Sequence, residues 1–177
     1  MSASGDPWGW HRLDTRWAER VVAEAGVSPG DLVVDIGAGT GALTGPLVAA
    51  GTRVIAVELH PKRLAVLRDR FADEPVTVVR ADVRDLRLPR RPFRVVASPP
   101  YRLTTSVLRR LLSRGSRLEQ AHLIVERGAA ARWASGRARG ASRWMASYDL
   151  SIGRRLPRSA FTPPPRVDSV VLRITRR

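Results

Sequence analysis

The stretch LVVDIGAGTG, residues 32–41, decides the fold class because it joins an apolar run to a glycine-rich turn. Short apolar runs that end in turn residues are typical of buried parallel strands. We therefore predict a strand at residues 32–36 and a helix at residues 40–50. Gly37 and Gly39 would let a ligand approach the backbone where the helix begins, and we expect the amide N–H groups there to point outwards.

Strands and helices alternate through most of the remaining chain. Further strands are predicted at residues 53–58, 76–80, 93–97 and 121–125, and helices at 15–25, 62–71, 104–112 and 128–135. This order indicates an α/β domain built on a mostly parallel sheet. Residues 151–155 and 167–174 are predicted strands with no helix between them, so we expect an antiparallel pair. Residues 136–143, GRARGASR, are predicted to form a mobile basic loop.

Length and composition indicate one globular domain. The chain has 177 residues, of which 44% are hydrophobic. No segment approaches the roughly 18 consecutive apolar residues of a membrane span, and the first residues do not resemble a signal peptide, so we expect a cytoplasmic protein. The sequence has no cysteine, and its histidines, His11, His60 and His122, are far apart. We therefore expect neither disulfides nor a metal site.

The charge is distributed unevenly along the chain. Residues 1–86 carry 10 Lys/Arg and 12 Asp/Glu, a net of −2, whereas residues 87–177 carry 21 Arg and 4 Asp/Glu, a net of +17, which together give +15. The 30 Arg against one Lys also fit a genome rich in arginine codons. That bias does not explain the net charge, because Lys and Arg carry the same charge. The second half therefore predicts a polyanion-binding face, and arginine pairs with phosphate and stacks on bases, which favours RNA.

Three further positions suggest a nucleotide-like ligand at the strand ends. With Ala42, the glycine turn also fits the dinucleotide pattern G-x-G-x-x-A, and Glu58 lies at the distance where such folds bind ribose hydroxyls. Asp82 follows the third core strand, where its carboxylate could accept a hydrogen bond from an adenine amino group while the Val83 amide meets a ring nitrogen. A nicotinamide enzyme and a purely structural glycine turn both remain open on these residues alone.

The turn Ser98-Pro99-Pro100-Tyr101 directly follows the fourth core strand. Two consecutive prolines cannot donate hydrogen bonds to a sheet, and they make the backbone rigid. Such a turn could direct the Ser98 side chain and the Pro99 carbonyl at an exocyclic amine, with Tyr101 as a ring on which a base stacks. The alternative is a proline-rich loop with a tyrosine that packs.

Together these motifs resemble those of the rRNA adenine N6-methyltransferases, the family of the erythromycin-resistance methyltransferases and the small-subunit dimethyladenosine transferases. The resemblance extends over nearly the whole chain, through WHRL at 10–13, DIGAGTGALT at 35–44, VE at 57–58, AD at 81–82, SPPY at 98–101, IVER at 124–127 and FTPPPRVDS at 161–169. The last segment is the most specific to the family, because methyltransferases in general share the glycine turn and little else.

The resemblance implies a Rossmann-like class I methyltransferase with a seven-stranded, mostly parallel sheet and a C-terminal antiparallel hairpin. It also implies transfer of a methyl group from S-adenosylmethionine to N6 of an rRNA adenine. The implied cofactor-binding residues are His11, Leu13, Gly37, Gly39, Glu58, Asp82, Val83 and Ser98. The implied catalytic residues are Ser98, Pro99, Tyr101 and Phe161, with Tyr101 and Phe161 covering the two faces of the target base.

The chain departs from the family pattern at two site positions and in its length. His11 and Ser98 both stand where the family usually has Asn, and the Ser98 hydroxyl reaches less far than an amide. We expect a single methyltransferase domain over residues 1–177, without the family's C-terminal helical domain. Within it, residues 1–30 form an N-terminal arm and helix, 31–101 the cofactor-binding and catalytic core, and 102–177 a basic half that faces RNA.

The expected substrate is an adenine of 23S rRNA, methylated by a monomer in the manner of macrolide-resistance enzymes. This target is what the resemblance implies, because the short basic form and the segment RPFRVV, residues 91–96, are more similar to the resistance enzymes of the family than to its housekeeping enzymes. Small-subunit rRNA remains an alternative, as does cytosine N4 of DNA, because Ser-Pro-Pro-Tyr is also typical of enzymes with that target. A third alternative is a non-catalytic RNA-binding or ribosome-assembly factor, in which His11 and Ser98 mark lost activity. A nicotinamide enzyme is disfavoured because the chain leaves no room for a substrate domain.

Overall fold

The computed structural model of the protein describes residues 9–177, so the first eight residues of the predicted N-terminal arm lie outside the described part. The strands of this part are β1 (Arg12–Leu13), β2 (Leu32–Ile36), β3 (Arg53–Val57), β4 (Val76–Val79), β5 (Phe93–Ala97), β6 (Leu118–Glu126), β7 (Tyr148–Leu156), β8 (Phe161–Thr162) and β9 (Ser169–Arg176). The helices are α1 (Thr15–Ala25), α2 (Thr44–Ala49), α3 (Pro61–Arg70), α4 (Thr104–Leu111), α5 (Arg127–Ala134) and α6 (Ser142–Met145).

Seven strands form one sheet in the order β4-β3-β2-β5-β6-β9-β7. The neighbours from β4 to β6 are parallel, while β9 pairs antiparallel with both β6 and β7. This topology confirms the predicted α/β fold with a mostly parallel sheet and an antiparallel pair at the C-terminal edge. The carboxyl ends of β2, β3, β4 and β5 lie along one edge of the sheet, which is where open α/β sheets bind ligands.

Local sequence signals account for the helix boundaries. The Asp14 side chain accepts a hydrogen bond from the Arg16 backbone N–H at 3.0 Å, which caps the beginning of α1. Gly26 ends the same helix in the left-handed conformation, with φ of 59°. Pro61 occupies the first turn of α3, where a missing N–H costs nothing.

The helices cover both faces of the sheet because successive strand residues point to opposite sides. Val34, on one face, belongs to a core that includes Leu108 of α4 and Ala130 of α5. Val33, on the other face, belongs to a core with residues of α1, α2 and α3. Within residues 9–177, no helix combines the length and the apolar character needed to cross a membrane.

The structure differs from the sequence-based expectation in three elements. Helix α2 begins at Thr44 rather than at residue 40, because Gly37, Gly39 and Gly41 have φ values of 74°, 60° and 95°, which no right-handed helix accommodates. The basic segment 136–143 contains turns and the beginning of α6. Strands β1 and β8 form a small separate antiparallel sheet that the sequence did not predict.

Candidate functional site

A cleft lies at the carboxyl ends of the parallel strands and consists of two adjoining cavities. The larger has a volume of about 300 Å³, and six of its lining residues are Gly37, Glu58, Asp82, Val83, Pro99 and Pro100. The smaller, of about 20 Å³, is lined by His11, Leu13, Asp35, Gly37 and Ser98, among others. The structure thus brings together most of the residues predicted from the sequence.

The glycine turn forms the floor of this cleft. The Gly37 and Ala38 amides donate to the Val57 carbonyl at 2.8 and 3.0 Å, and the Gly39 amide donates to Glu58 Oε2 at 2.8 Å. The expectation that these amides point outwards is therefore wrong for this conformation. Instead, they fix the turn to β3 and to the carboxylate that follows it.

Glu58 is held at the end of β3 by backbone donors. Besides the bond from Gly39, its Oε1 accepts hydrogen bonds from the amides of Leu59 at 3.0 Å and His60 at 2.8 Å. Arg63 Nε lies 3.6 Å from the same oxygen. The residue is 5% exposed, so the carboxylate is presented to the larger cavity in a fixed orientation.

Asp82 also lines the larger cavity and is bound by Arg84. Its carboxylate accepts from Arg84 N at 2.9 Å, Nε at 2.9 Å and Nη2 at 2.6 Å. These hydrogen bonds lower the pKa of Asp82 to about 2. The group is therefore ionised at neutral pH and can only accept hydrogen bonds. Val83 beside it is 4% exposed and contributes an apolar wall.

Asp35 is a site residue for which no role was predicted from the sequence. It is 1% exposed at the end of β2, Thr44 Oγ1 donates to its Oδ2 at 2.7 Å, and its Oδ1 has no hydrogen-bond partner among the described residues. Burial, together with the nearby Glu58 charge, raises the pKa of Asp35 to about 7. A buried oxygen without a partner at a cavity wall indicates a place for a hydrogen-bond donor or a cation from a ligand.

The Ser98 turn touches the glycine turn directly. A Cβ built on Gly37 would lie 3.2 Å from Pro99 Cα, 3.3 Å from Pro100 Cδ and 3.8 Å from the Ser98 carbonyl oxygen. The absence of a side chain at Gly37 is what permits this approach. Ser98 lines the smaller cavity and Pro99 the larger one, so this turn forms a wall of both.

Tyr101 is positioned by the closing segment FTPPPRVDS. Its hydroxyl makes a 2.5 Å hydrogen bond with Ser169 Oγ, and burial raises the pKa of the phenol. The His11 ring stacks near the Tyr101 ring, with centroids 6.0 Å apart and planes at 26°. His11 Nδ1 lies at hydrogen-bonding distance, 2.7 Å, from the Pro163 carbonyl oxygen. The closing segment therefore orients His11, which lines the smaller cavity, and Tyr101, which lies next to the cleft but lines neither cavity.

The placement of Phe161 does not support its predicted role as the second wall of a base site. Phe161 is 3% exposed, lies opposite Leu13 in the β1–β8 pair, and packs in the core with Ala160 and Leu156. It lines neither cavity of the cleft. Phe161 packs in the same core as Leu13 of β1, so its side chain is not positioned to contact a base in the cleft.

Trp10 is a second cleft residue that sequence reasoning missed. It lines both cavities, and a Cβ on Gly39 would come within 2.6 Å of its Nε1. The Arg63 guanidinium lies over its ring at 4.8 Å from the centroid. The signal was its position immediately before His11.

Among residues 9–177, no group of three or more His, Asp or Glu side chains could hold a metal ion.

Comparisons with known proteins agree with this geometry. The sequence model of the family described as ribosomal RNA adenine dimethylase matches residues 12–177. An rRNA adenine N-6-methyltransferase of Bacillus licheniformis is 34% identical over 163 residues, covering 90% of this chain and 57% of the relative. Ribosomal RNA small subunit methyltransferase A of a Synechococcus strain is 37% identical, covering 94% of this chain and 62% of the relative.

Two further matches broaden this comparison. The mycinamicin-resistance protein MyrB of Micromonospora griseorubida is 37% identical, covering 92% of this chain and 51% of its own length. The crystal structure of the 23S rRNA methyltransferase ErmE superposes with a TM-score of 0.85 at 26% identity, covering 95% of this chain and 70% of that one. The chain thus spans about half to three fifths of the length of these curated relatives.

Proposed function

Because this chain belongs to the ribosomal RNA adenine dimethylase family, we propose that it transfers a methyl group from S-adenosylmethionine to N6 of an adenine in rRNA. The observation that carries this proposal is the contact between the glycine turn and the Ser98 turn across Gly37. A cofactor on the first turn and an amine on the second would be adjacent, as in-line transfer requires.

The residues of the cleft fit S-adenosylmethionine. The larger cavity presents the Glu58 carboxylate for ribose hydroxyls and the ionised Asp82 for an adenine amino group. Asp35 lines the smaller cavity and its Oδ1 has no partner among the described residues, so this carboxylate could pair with the ammonium group of the methionyl end. When bound, the cofactor supplies an electrophilic methyl group on a sulfonium. Glu58 would exchange part of its bonding to the backbone for the ribose.

Ser98, Pro99 and Tyr101 would hold the target base. The Ser98 hydroxyl and the Pro99 carbonyl can accept the hydrogens of an exocyclic amine, which favours the geometry in which its lone pair attacks. Tyr101, fixed through Ser169, offers a ring for stacking, and its raised pKa keeps the phenol neutral. Since the proton can leave after the transfer, no general base is required. The adenine must be unpaired or flipped out to reach this turn.

We further propose 23S rRNA as the substrate, with macrolide resistance as the consequence in the cytoplasm of a host. The name of ErmE states this target for its own chain, and the name of MyrB states mycinamicin resistance for its own chain. Small-subunit rRNA is the second candidate, favoured by the 37% identity to a small-subunit methyltransferase. Residues 31–101 would form the cofactor-binding and catalytic core of a monomer, and residues 102–177 the RNA-facing half.

Substitutions in the Ser98 turn test the chemistry. We expect Ser98→Ala and Tyr101→Ala each to lower methyl transfer to an rRNA fragment by about 10-fold or more, because they remove groups that act on the amine and the base. Cofactor affinity, measured by calorimetry, should fall much less than methyl transfer does, since the glycine turn, Glu58 and Asp82 are unaltered. Ser151→Ala, at an exposed serine of β7, is the matched control. Equal losses of transfer and cofactor binding would contradict the assignment.

The identity of the substrate is tested by the modified nucleoside. Mass spectrometry of rRNA from a host that expresses the chain should show a methylated adenine in 23S rRNA, together with reduced macrolide susceptibility. Methylation confined to 16S rRNA would select the second candidate. Methylated cytosine in DNA, or RNA binding without any cofactor binding, would contradict the proposed function.

A further inference from the structure

A second concave surface, which we call the basic groove, lies at the end of the sheet opposite the carboxyl ends of the parallel strands. It has a volume of about 910 Å³, and its lining includes Arg109, Arg114, Arg139, Arg143, Trp144 and Arg176. An adjoining recess of about 290 Å³ shares the turn at residues 113–116 and adds three more arginines. No Asp or Glu lines either cavity. The surface is therefore of a single sign over its whole extent.

The groove arginines differ from other arginines of the same half in lacking acidic partners. On the neighbouring strands, Arg155 pairs with Asp168 at 2.8 Å, and Arg177 with Asp149 at 2.8 Å. In contrast, the exposed residues Arg109, Arg114, Arg139 and Arg143 make no ion pair with any carboxylate among residues 9–177. Clustered positive charges without partners repel one another, and a bound polyanion would remove that repulsion.

Two aromatic residues of the groove are held in place. Trp144 is half-buried and stacks on the buried Trp133, with centroids 5.3 Å apart and planes at 20°. The Arg176 guanidinium lies 4.8 Å from the Tyr148 ring centroid and donates to the Tyr148 hydroxyl at 2.6 Å. Arg176 Nη2 also donates to the Ser116 carbonyl at 2.6 Å. The groove therefore has a fixed floor and a partly exposed indole.

The groove is separate from the methyl-transfer cleft. Strand β6 begins beside the groove at Leu118. It ends at Glu126, at the same end of the sheet as the carboxyl ends of the other parallel strands. A strand of this length spans about 25 Å. A single molecule that occupied both sites would have to extend over a comparable distance.

We propose that the basic groove binds the sugar-phosphate backbone of RNA, with Trp144 stacking on a base, at a site remote from the methylated adenine. Mobile guanidinium groups pair with phosphates, and an aromatic ring beside them binds a base of any sequence. The groove would thus contribute affinity rather than choice of target base. The identification of the polyanion as RNA rests on the proposed function.

A triple variant tests the groove. We expect Arg114→Gln/Arg139→Gln/Arg143→Gln to weaken binding of an rRNA fragment about 10- to 100-fold and to reduce the slope of log Kd against log salt by about 2 to 3. Cofactor affinity should remain unchanged. The matched control is Arg53→Gln/Lys62→Gln/Arg68→Gln, which removes three exposed charges on β3 and α3. Trp144→Ala should weaken binding with the slope retained, because it removes stacking without charge.

Equal RNA affinity for the groove variant and the control variant would overturn the inference, as would the absence of RNA binding by the wild-type chain. Photo-crosslinking of the wild-type chain to thiouridine-labelled RNA provides a test that needs no variant. Crosslinks should map to residues 109–117 and 139–148, and their complete absence there would also overturn it. A chain that binds RNA through the groove but does not methylate it would contradict the proposed function alone.

Discussion

At the scale of single residues, Asp35 is the carboxyl group of the cleft whose ionised form is disfavoured by its surroundings. Its carboxylate is buried, one oxygen lacks a partner, and the Glu58 charge is nearby. Each of these features disfavours the ionised form, so the pKa rises to about 7. A cation bound in the smaller cavity would reverse this effect by favouring the carboxylate. Binding of a cationic ligand should therefore release a proton near neutral pH.

Asp35→Asn should alter the pH dependence of stability. Since the pKa of Asp35 is about 7 in the folded state and about 3.8 unfolded, the folded state binds more protons between these values. The free energy of unfolding should thus fall as pH rises from 4 to 7, by roughly 4 kcal/mol at most. The Asn variant should lose this fall.

Urea unfolding of both proteins from pH 4 to 8 measures the effect. His122 must be considered, because its burial lowers its pKa to about 4 and makes stability rise with pH over an overlapping range. The difference between wild type and variant cancels that contribution. Parallel stability profiles would show that Asp35 titrates normally.

Residues at strand ends were predictable from the sequence, whereas residues placed by remote contacts were not. Glu58, Asp82 and Ser98 each follow an apolar strand, and parallel strands bring such positions to one edge. Trp10 reaches the cleft by packing on the glycine turn, and its only sequence signal is its position beside His11. Phe161 was predicted to cover the base, but its pairing with Leu13 turns it into the core.

At the scale of elements, the glycine turn and the Ser98 turn act as one unit. Gly37 has φ of 74°, and Pro99 packs closely against it because Gly37 has no side chain. The three glycines with positive φ in this turn also prevent α2 from beginning before Thr44. The same backbone that brings the turns together therefore explains why the predicted helix at residues 40–50 was too long at its beginning.

Gly37→Ala should separate the two turns. Its Cβ would press on Pro99 Cα at 3.2 Å, so backbone must move, in addition to the strain of a positive φ. We expect a loss of about 2–5 kcal/mol in stability and a fall in methyl transfer larger than the fall in cofactor affinity. Gly30→Ala is the matched control, because its φ is 85° and its Cβ would meet nothing within 4 Å.

Thermal unfolding and methyl-transfer rates of these two variants separate strain from displacement. Gly30→Ala should show only the cost of strain, about 1–2 kcal/mol, with normal methyl transfer. If the two variants behaved alike in both measurements, contact between the turns would have no role in the reaction.

The small β1–β8 sheet is an element that could not be predicted from the sequence. Its strands have two residues each and lie about 150 positions apart in sequence, since Arg12 pairs with Thr162. Two residues cannot show a periodicity, so only tertiary packing reveals the pairing. The long strands and helices were predictable because several residues repeat one pattern.

At the scale of the whole molecule, the uneven charge of the sequence becomes a separation of sites. The cleft is built mainly from the half with net charge −2 and presents the carboxylates Asp35, Glu58 and Asp82. The basic groove belongs to the half with net charge +17. Composition predicted a basic half, but the groove itself depends on the approach of the 113–116 turn to α6, which charge counting cannot locate.

This separation predicts that the two ligands respond differently to salt. Each phosphate that an arginine neutralises releases counterions, and about 6–10 such contacts weaken nucleic-acid binding by about 10³–10⁵-fold between 50 and 200 mM salt. We expect RNA affinity to fall within this range. Cofactor affinity should change by less than about threefold, because its proposed contacts are short and partly buried. Fluorescence anisotropy for RNA and calorimetry for the cofactor, over the same salt series, make the comparison. A parallel fall of both affinities would mean that salt acts on the fold rather than on the basic half.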